Sequence, residues 1–152
     1  MTHERSNRFL YVAAALAMSA SLSYGAPQAA EPDAKGCKDH PLFTRMQGMR
    51  IATCRMVDFD KFDFKTGKAT TVSVEGKRFE IKYQMPPGGT APSPLAIIRN
   101  HQQAIGAIGG SMAWEDQRYT VLKLIKDGKE VWAQVDTAWG RGYMLTIVEK
   151  QA

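Results

Sequence analysis

Four residue types could do chemistry in this chain, and their spacing decides whether they do. Cys37 and Cys54 are its only cysteines, and His40 and His101 its only histidines after His3. In Lys38-Asp39-His40-Pro41 an aspartate precedes a histidine, an order that could support acid–base work. Nucleophilic catalysis would further need a serine, threonine or thiol held against that base, and no such motif surrounds either histidine. Pro41 favours a turn at His40, and His101 falls within a helical pattern, beside its apolar stripe, as a boundary residue. Glu115-Asp116 belongs to a turn and Asp58, Asp60 and Asp63 to a strand, so neither gives two carboxyls across a cleft. Gly109-Gly110 follows a helix, whereas a phosphate-cradling loop precedes one. With only His40 and His101 beyond His3 and no Cys-x-x-Cys pair, a metal centre is not expected. The reading is non-catalytic, with no cofactor and no metal.

Aromatic rings offer binding instead. Trp114, Trp132 and Trp139 are concentrated late, and Trp139-Gly140-Arg141-Gly142-Tyr143 is an aromatic and basic turn. Trp132, Trp139, Arg141 and Tyr143 form the expected binding patch, with rings as stacking platforms and Arg141 as the anion contact. The competing expectation is that these rings cover the edge of a thin core.

The compartment follows from the first twenty-five residues. Arg5 and Arg8 precede the apolar run Phe9 to Met18, and small residues from Ser19 to Gly25 follow. Positive start, short apolar stretch and small residues are the parts of a secretory signal peptide, with cleavage expected after Gly25. The apolar run is shorter than the roughly 20 residues a spanning helix needs, and no later segment reaches that length. Loss of Arg5, Arg8 and Glu4 with the leader changes the net charge from +5 to +4. An exported basic domain meets lipid head groups and wall carboxylates before it meets nucleic acid. In an oxidising compartment Cys37 and Cys54 read as a disulfide.

These groups need elements to position them. Residues 26–36 are rich in Ala and Pro and read as a disordered mature N-terminus, so a single domain is expected over 37–150. Met49 to Arg55 and Asp58 to Phe64 read as strands, and Thr70 to Glu75 and Arg78 to Gln84 as a hairpin about Gly76-Lys77. Ser93 reads as an N-cap with Pro94 in the first turn. Leu95, Ile98, Gln102, Ile105 and Ile108 form the helical stripe, which Gly109-Gly110 ends. Four strands follow, Ser111 to Glu115, Tyr119 to Lys126, Glu130 to Asp136 and Gly142 to Glu149, with Asp127-Gly128 as a type I′ turn. The expected class is α+β: an antiparallel sheet made of a hairpin, one covering helix and a four-strand meander.

Several stretches resemble a domain of proteobacterial OmpA-family envelope proteins. They are Lys35-Gly36-Cys37-Lys38-Asp39-His40-Pro41-Leu42-Phe43-Thr44-Arg45-Met46, Ile97-Ile98-Arg99-Asn100, Ile108-Gly109-Gly110, the run Leu122 to Trp132, and Gly142-Tyr143-Met144-Leu145-Thr146-Ile147-Val148-Glu149-Lys150. The resemblance covers residues 35–150. In that family the domain commonly precedes an OmpA-type peptidoglycan-binding domain. It implies a Gram-negative envelope location and a non-catalytic role, and supplies no catalytic residues. No wall-binding domain follows Ala152 in this sequence, so peptidoglycan binding is not carried over. The expectation is a stand-alone periplasmic accessory or interaction domain, possessing no transmembrane segment once the leader is removed. Its partner would be another envelope protein, the cell wall or an anionic lipid surface. The alternative is a periplasmic binder or inhibitor that recognises an anionic glycan, lipid or small molecule through the aromatic–basic patch.

Overall fold

A computed structural model describes residues 31–152, so the leader expected over residues 1–25, and residues 26–30, lie outside the described residues. Six antiparallel strands form one sheet: β1 Arg50–Lys65, β2 Thr71–Gln84, β3 Ser111–Glu115, β4 Tyr119–Lys126, β5 Lys129–Asp136 and β6 Gly142–Lys150. One helix, α1 Pro94–Ala107, separates β2 from β3. The order across the sheet is β1-β2-β6-β5-β4-β3. The expected antiparallel α+β fold is therefore present, with β3 to β6 as the meander. Asp127 (φ 51°) and Gly128 (φ 75°) both adopt the left-handed conformations that a type I′ turn between β4 and β5 requires.

The first half departs from the short strands read in the sequence. Met49 to Phe64 is not two strands, because β1 runs through Val57 to Phe59 and absorbs an extra residue as a bulge between Val57 and Asp60. Gly76-Lys77 is not a turn either. Gly76 pairs with Asp60 on one side and Lys150 on the other, and a Cβ there would fall inside the carbonyl oxygen of Glu149. The glycine marks a close backbone approach, which in sequence looks the same as a break. The true reversal lies between Lys65 and Thr71, where the Thr66 N–H donates to the Thr70 carbonyl at 3.0 Å.

Residues 31–36 are ordered, contrary to the expectation of disorder through Gly36. The Asp33 carboxylate accepts from the Ile51 N–H at 2.8 Å and from Arg45 at 2.7 and 2.8 Å. Ala34 N–H donates to the Ile51 carbonyl at 2.9 Å. Composition alone does not reveal a carboxylate whose partner lies twelve residues further on. Residues 31–49 thus form a strap, bound to β1 by the Cys37–Cys54 disulfide.

Helix α1 begins as expected, with the Ser93 hydroxyl accepting from the Ala96 N–H at 3.2 Å and Pro94 in the first turn. Its buried face is Ile97, Ile98, His101 and Ile105, while Leu95 and Ile108 of the expected stripe are exposed. The stripe is rotated toward Ile97 and His101 because those positions meet the strands beneath. One sheet face is covered by α1 and the strap, in a core that includes Ile51, Ile81, Tyr83, Leu122, Val135, Tyr143 and Ile147.

The other face is covered by the sheet itself. The far half of the β1–β2 ribbon folds back over β5, placing the Phe64 ring 5.6 Å from Trp132 although β2 and β6 lie between those strands in the sheet. Lys65 N–H reaches the Gln134 side-chain oxygen at 3.4 Å, and its ammonium lies 4.3 Å from the Tyr119 ring. Phe64, Val74, Val121, Trp132 and Val148 form this second core.

Candidate functional site

The fold separates the four residues expected to bind together. Tyr143 is fully buried beneath the strap and α1, stacked on Tyr83 at 4.9 Å, and its hydroxyl accepts from the Met46 N–H at 3.2 Å. Trp132 is buried on the opposite face, as its strand alternation predicts, and its indole N–H donates to Glu130. Trp139 and Arg141 are exposed but engaged locally. Trp139 donates to Asp136 at 3.0 Å, and Arg141 donates to the Pro86 carbonyl at 3.2 Å and to that of Gly89. Two rings are core and two side chains brace loops, so no common platform forms. The competing expectation, rings that seal a core, describes Trp132 and Tyr143.

Asp39 and His40 are likewise parted by their partners. The Asp39 carboxylate accepts from the Tyr83 hydroxyl at 2.6 Å and from Arg45 Nε at 3.1 Å. Burial, with Asp39 adding to it, holds the Tyr83 hydroxyl far above its ordinary pKa. Arg45 joins Asp33 to Asp39 and stays cationic, its pKa pushed further up by the Asp33 hydrogen bonds. His40 turns away from Asp39 and pairs with Glu149 at 3.0 Å. Its Nδ1 accepts from the Leu42 N–H at 3.2 Å, which assigns the proton to Nε2 and makes Glu149 the acceptor. The ring is buried edge-on against Phe79 at 4.8 Å. His40 is a neutral structural donor in this arrangement.

His101 is also buried and neutral: Nδ1 lies 2.8 Å from the Ile97 carbonyl, and Nε2 has no hydrogen-bond partner among the described residues. Burial depresses both histidines below their ordinary value of 6.5. The unfolded chain therefore takes up protons first, and stability falls as pH drops below that value. Asp33 acts lower down. The Arg45 hydrogen bonds hold it to about 2, so its contribution is present above its ordinary 3.8 and is lost as pH falls toward about 2. The urea midpoint is expected to fall between about pH 7.5 and about pH 5, and to fall less in a His40→Gln, His101→Gln double variant. An equal fall in that variant would exclude the histidines as its origin.

What the strap does leave accessible is a groove of about 570 Å³ beside the disulfide, lined by residues including Cys54, Met56, Phe79, Ile81 and Pro41. Lys38 and Arg55 stand on its walls. A shallower recess of about 310 Å³ shares His40 and Pro41 with it and adds Lys126, Lys129 and Glu149. Lys77 lies with its ammonium 5.6 Å from the Phe79 ring. Among the described residues Lys38, Lys77, Lys126 and Lys129 make no salt bridge, and Arg55 makes only a long one to Glu80 at 3.8 Å. Asp39 also lines the groove and Glu149 the recess, each engaged by protein partners. The uncompensated charge on the rim of the apolar floor is therefore positive and suits a ligand with apolar and anionic groups. Among the described residues, no group of three or more His, Cys, Asp and Glu is placed to hold a metal ion. No described helix is long and apolar enough to cross a membrane.

Sequence reading missed Arg55, Met56, Phe79 and the lysines of this rim. One signal was present: if Cys37 bonds Cys54, the side chains flanking Cys54 and those on the strand paired with it must surround the bridge. Neither protein-family models nor curated proteins give a match to this chain.

Proposed function

We propose that this chain is a non-catalytic accessory module of the Gram-negative envelope, exported to the periplasm, that works by binding another envelope component through the groove beside Cys37–Cys54. The leader-like residues 1–25, the disulfide and the resemblance to OmpA-family N-terminal domains support the location. The observation that carries the binding reading is the groove itself. Among the described residues its cations lack close protein partners, while Asp39 and His40, the pair suited by order to acid–base work, are held in separate structural pairs.

Tagged mature protein carrying Lys38→Glu and Arg55→Glu is expected to retain about fivefold less envelope partner than the unaltered chain. An Arg141→Glu control, away from the groove, should retain it fully. Equal retention by the groove variant would exclude this face, and a hydrolytic activity abolished by His40→Ala would overturn the non-catalytic reading. A second reading, a carrier or inhibitor of an anionic glycan, lipid or small molecule, is favoured by the same positive rim. It would show as saturable binding of a defined anionic ligand without any protein partner.

A further inference from the structure

We infer that the groove receives an extended acidic segment of a partner protein, which adds as a strand to the free edge of β1 over Thr53 to Val57; this rests on the binding reading above. Strand β1 is the outer strand of the sheet, so one side of its backbone has no neighbour in the ladder. The start of that edge is already closed, where Ile51 gives its N–H to Asp33 and its carbonyl to Ala34. Beyond Val57 the strand leaves the regular ladder, and the Asp58 carbonyl turns toward Gln151, which follows β6 and bonds Glu75 of β2. Between these points the ladder with β2 is regular from Thr53 to Val57, and a bulge brackets it at each end. Bulges end regular pairing, so they limit an added strand to this stretch.

Side-chain chemistry chooses the occupant. Cys54 and Met56 line the groove, and Met56, 56 % exposed, is a large apolar side chain left without cover on an edge. Arg55 lies between them in sequence and so projects from the opposite sheet face, beside Glu80, whereas Lys38 lines the groove itself. An added strand that alternates apolar and acidic residues would set its apolar groups on Met56 and Phe79, flanked by Lys38, and its carboxylates against Arg55 on the other sheet face. A second copy of this chain fits less well. Antiparallel pairing of two such edges centred on Arg55 would bring like charges opposite one another. Asp58 within the second bulge region, and Asp60 and Asp63 after it, repel an acidic strand that overran it.

The test uses the oxidised protein and a blocked peptide of about seven residues alternating Glu and Val, with a Lys-for-Glu peptide as control. Saturable binding with slowed hydrogen exchange at the amides between Thr53 and Val57 is expected. The Lys peptide should bind about tenfold more weakly, and Arg55→Glu should reduce or reverse that preference. Binding that leaves β1 exchange unchanged would overturn strand addition while leaving the groove as a binding face. Protection of β1 by self-association would make a second copy the occupant and overturn the acidic partner. Absence of binding overturns the inference; the groove itself falls only if charge reversal at Lys38 and Arg55 also leaves partner retention unchanged.

Discussion

Phe64→Ala is expected to lower the unfolding free energy by about 3–5 kcal/mol, the range for removing a buried aromatic ring. Phe64 sits near the end of a long ribbon, where a loose tip would tolerate truncation. Here its ring is fully buried, 4.8 Å from Phe62 and 5.6 Å from Trp132. Without it the second core has no lid, because α1 and the strap are on the other face. Loss of stability should come with a red shift of tryptophan emission as Trp132 meets water. Urea unfolding followed by fluorescence measures both. A loss below about 1 kcal/mol with unchanged emission would mean that the ribbon does not hold its folded-back position.

Removal of the Cys37–Cys54 bridge ranks next. The cysteines are 17 residues apart, and a loop of this size stabilises by about 3 kcal/mol through restriction of the unfolded chain. The bridge also fixes the strap that carries Arg45, His40 and one wall of the groove. A Cys37→Ser, Cys54→Ser variant should therefore unfold at lower urea and bind less at the groove. Reductant should reproduce the effect in the unaltered chain and do nothing to the variant. Equal urea midpoints for the two proteins would remove the bridge from any account of stability.

Local chemistry made much of the fold legible. Ser93-Pro94 and Asp127-Gly128 announce backbone conformations that few other pairs adopt, and both occur where expected. The ribbon was not legible, because Gly76 reads alike as a turn or as a close approach. Its strand neighbour Glu149, seventy-three positions away, decides between them. The binding patch failed for a related reason. Alternation along β5 puts Trp132 on the face opposite Val131, Ala133 and Val135, but its relation to Tyr143 depends on the pairing of β5 with β6. Trp132 pairs with Val148, and Tyr143 is an odd number of residues from Val148, so the two rings face opposite ways. The groove depends on three segments meeting at the disulfide, which no one segment records.

The position of β6 sets the order in which the sheet can close. It is the last of the six strands in chain order, yet it lies between β2 and β5, near the middle of the sheet. Without residues 142–150 in place, the β1–β2 ribbon and the β3–β5 meander are two half-sheets with unpaired inner borders. Closure joins Lys82 to Met144 and Trp132 to Val148 in one step, across contacts distant in sequence. Completion of this sheet therefore waits for residues 142–150, and until they pair the two half-sheets keep unpaired inner borders open to other strands.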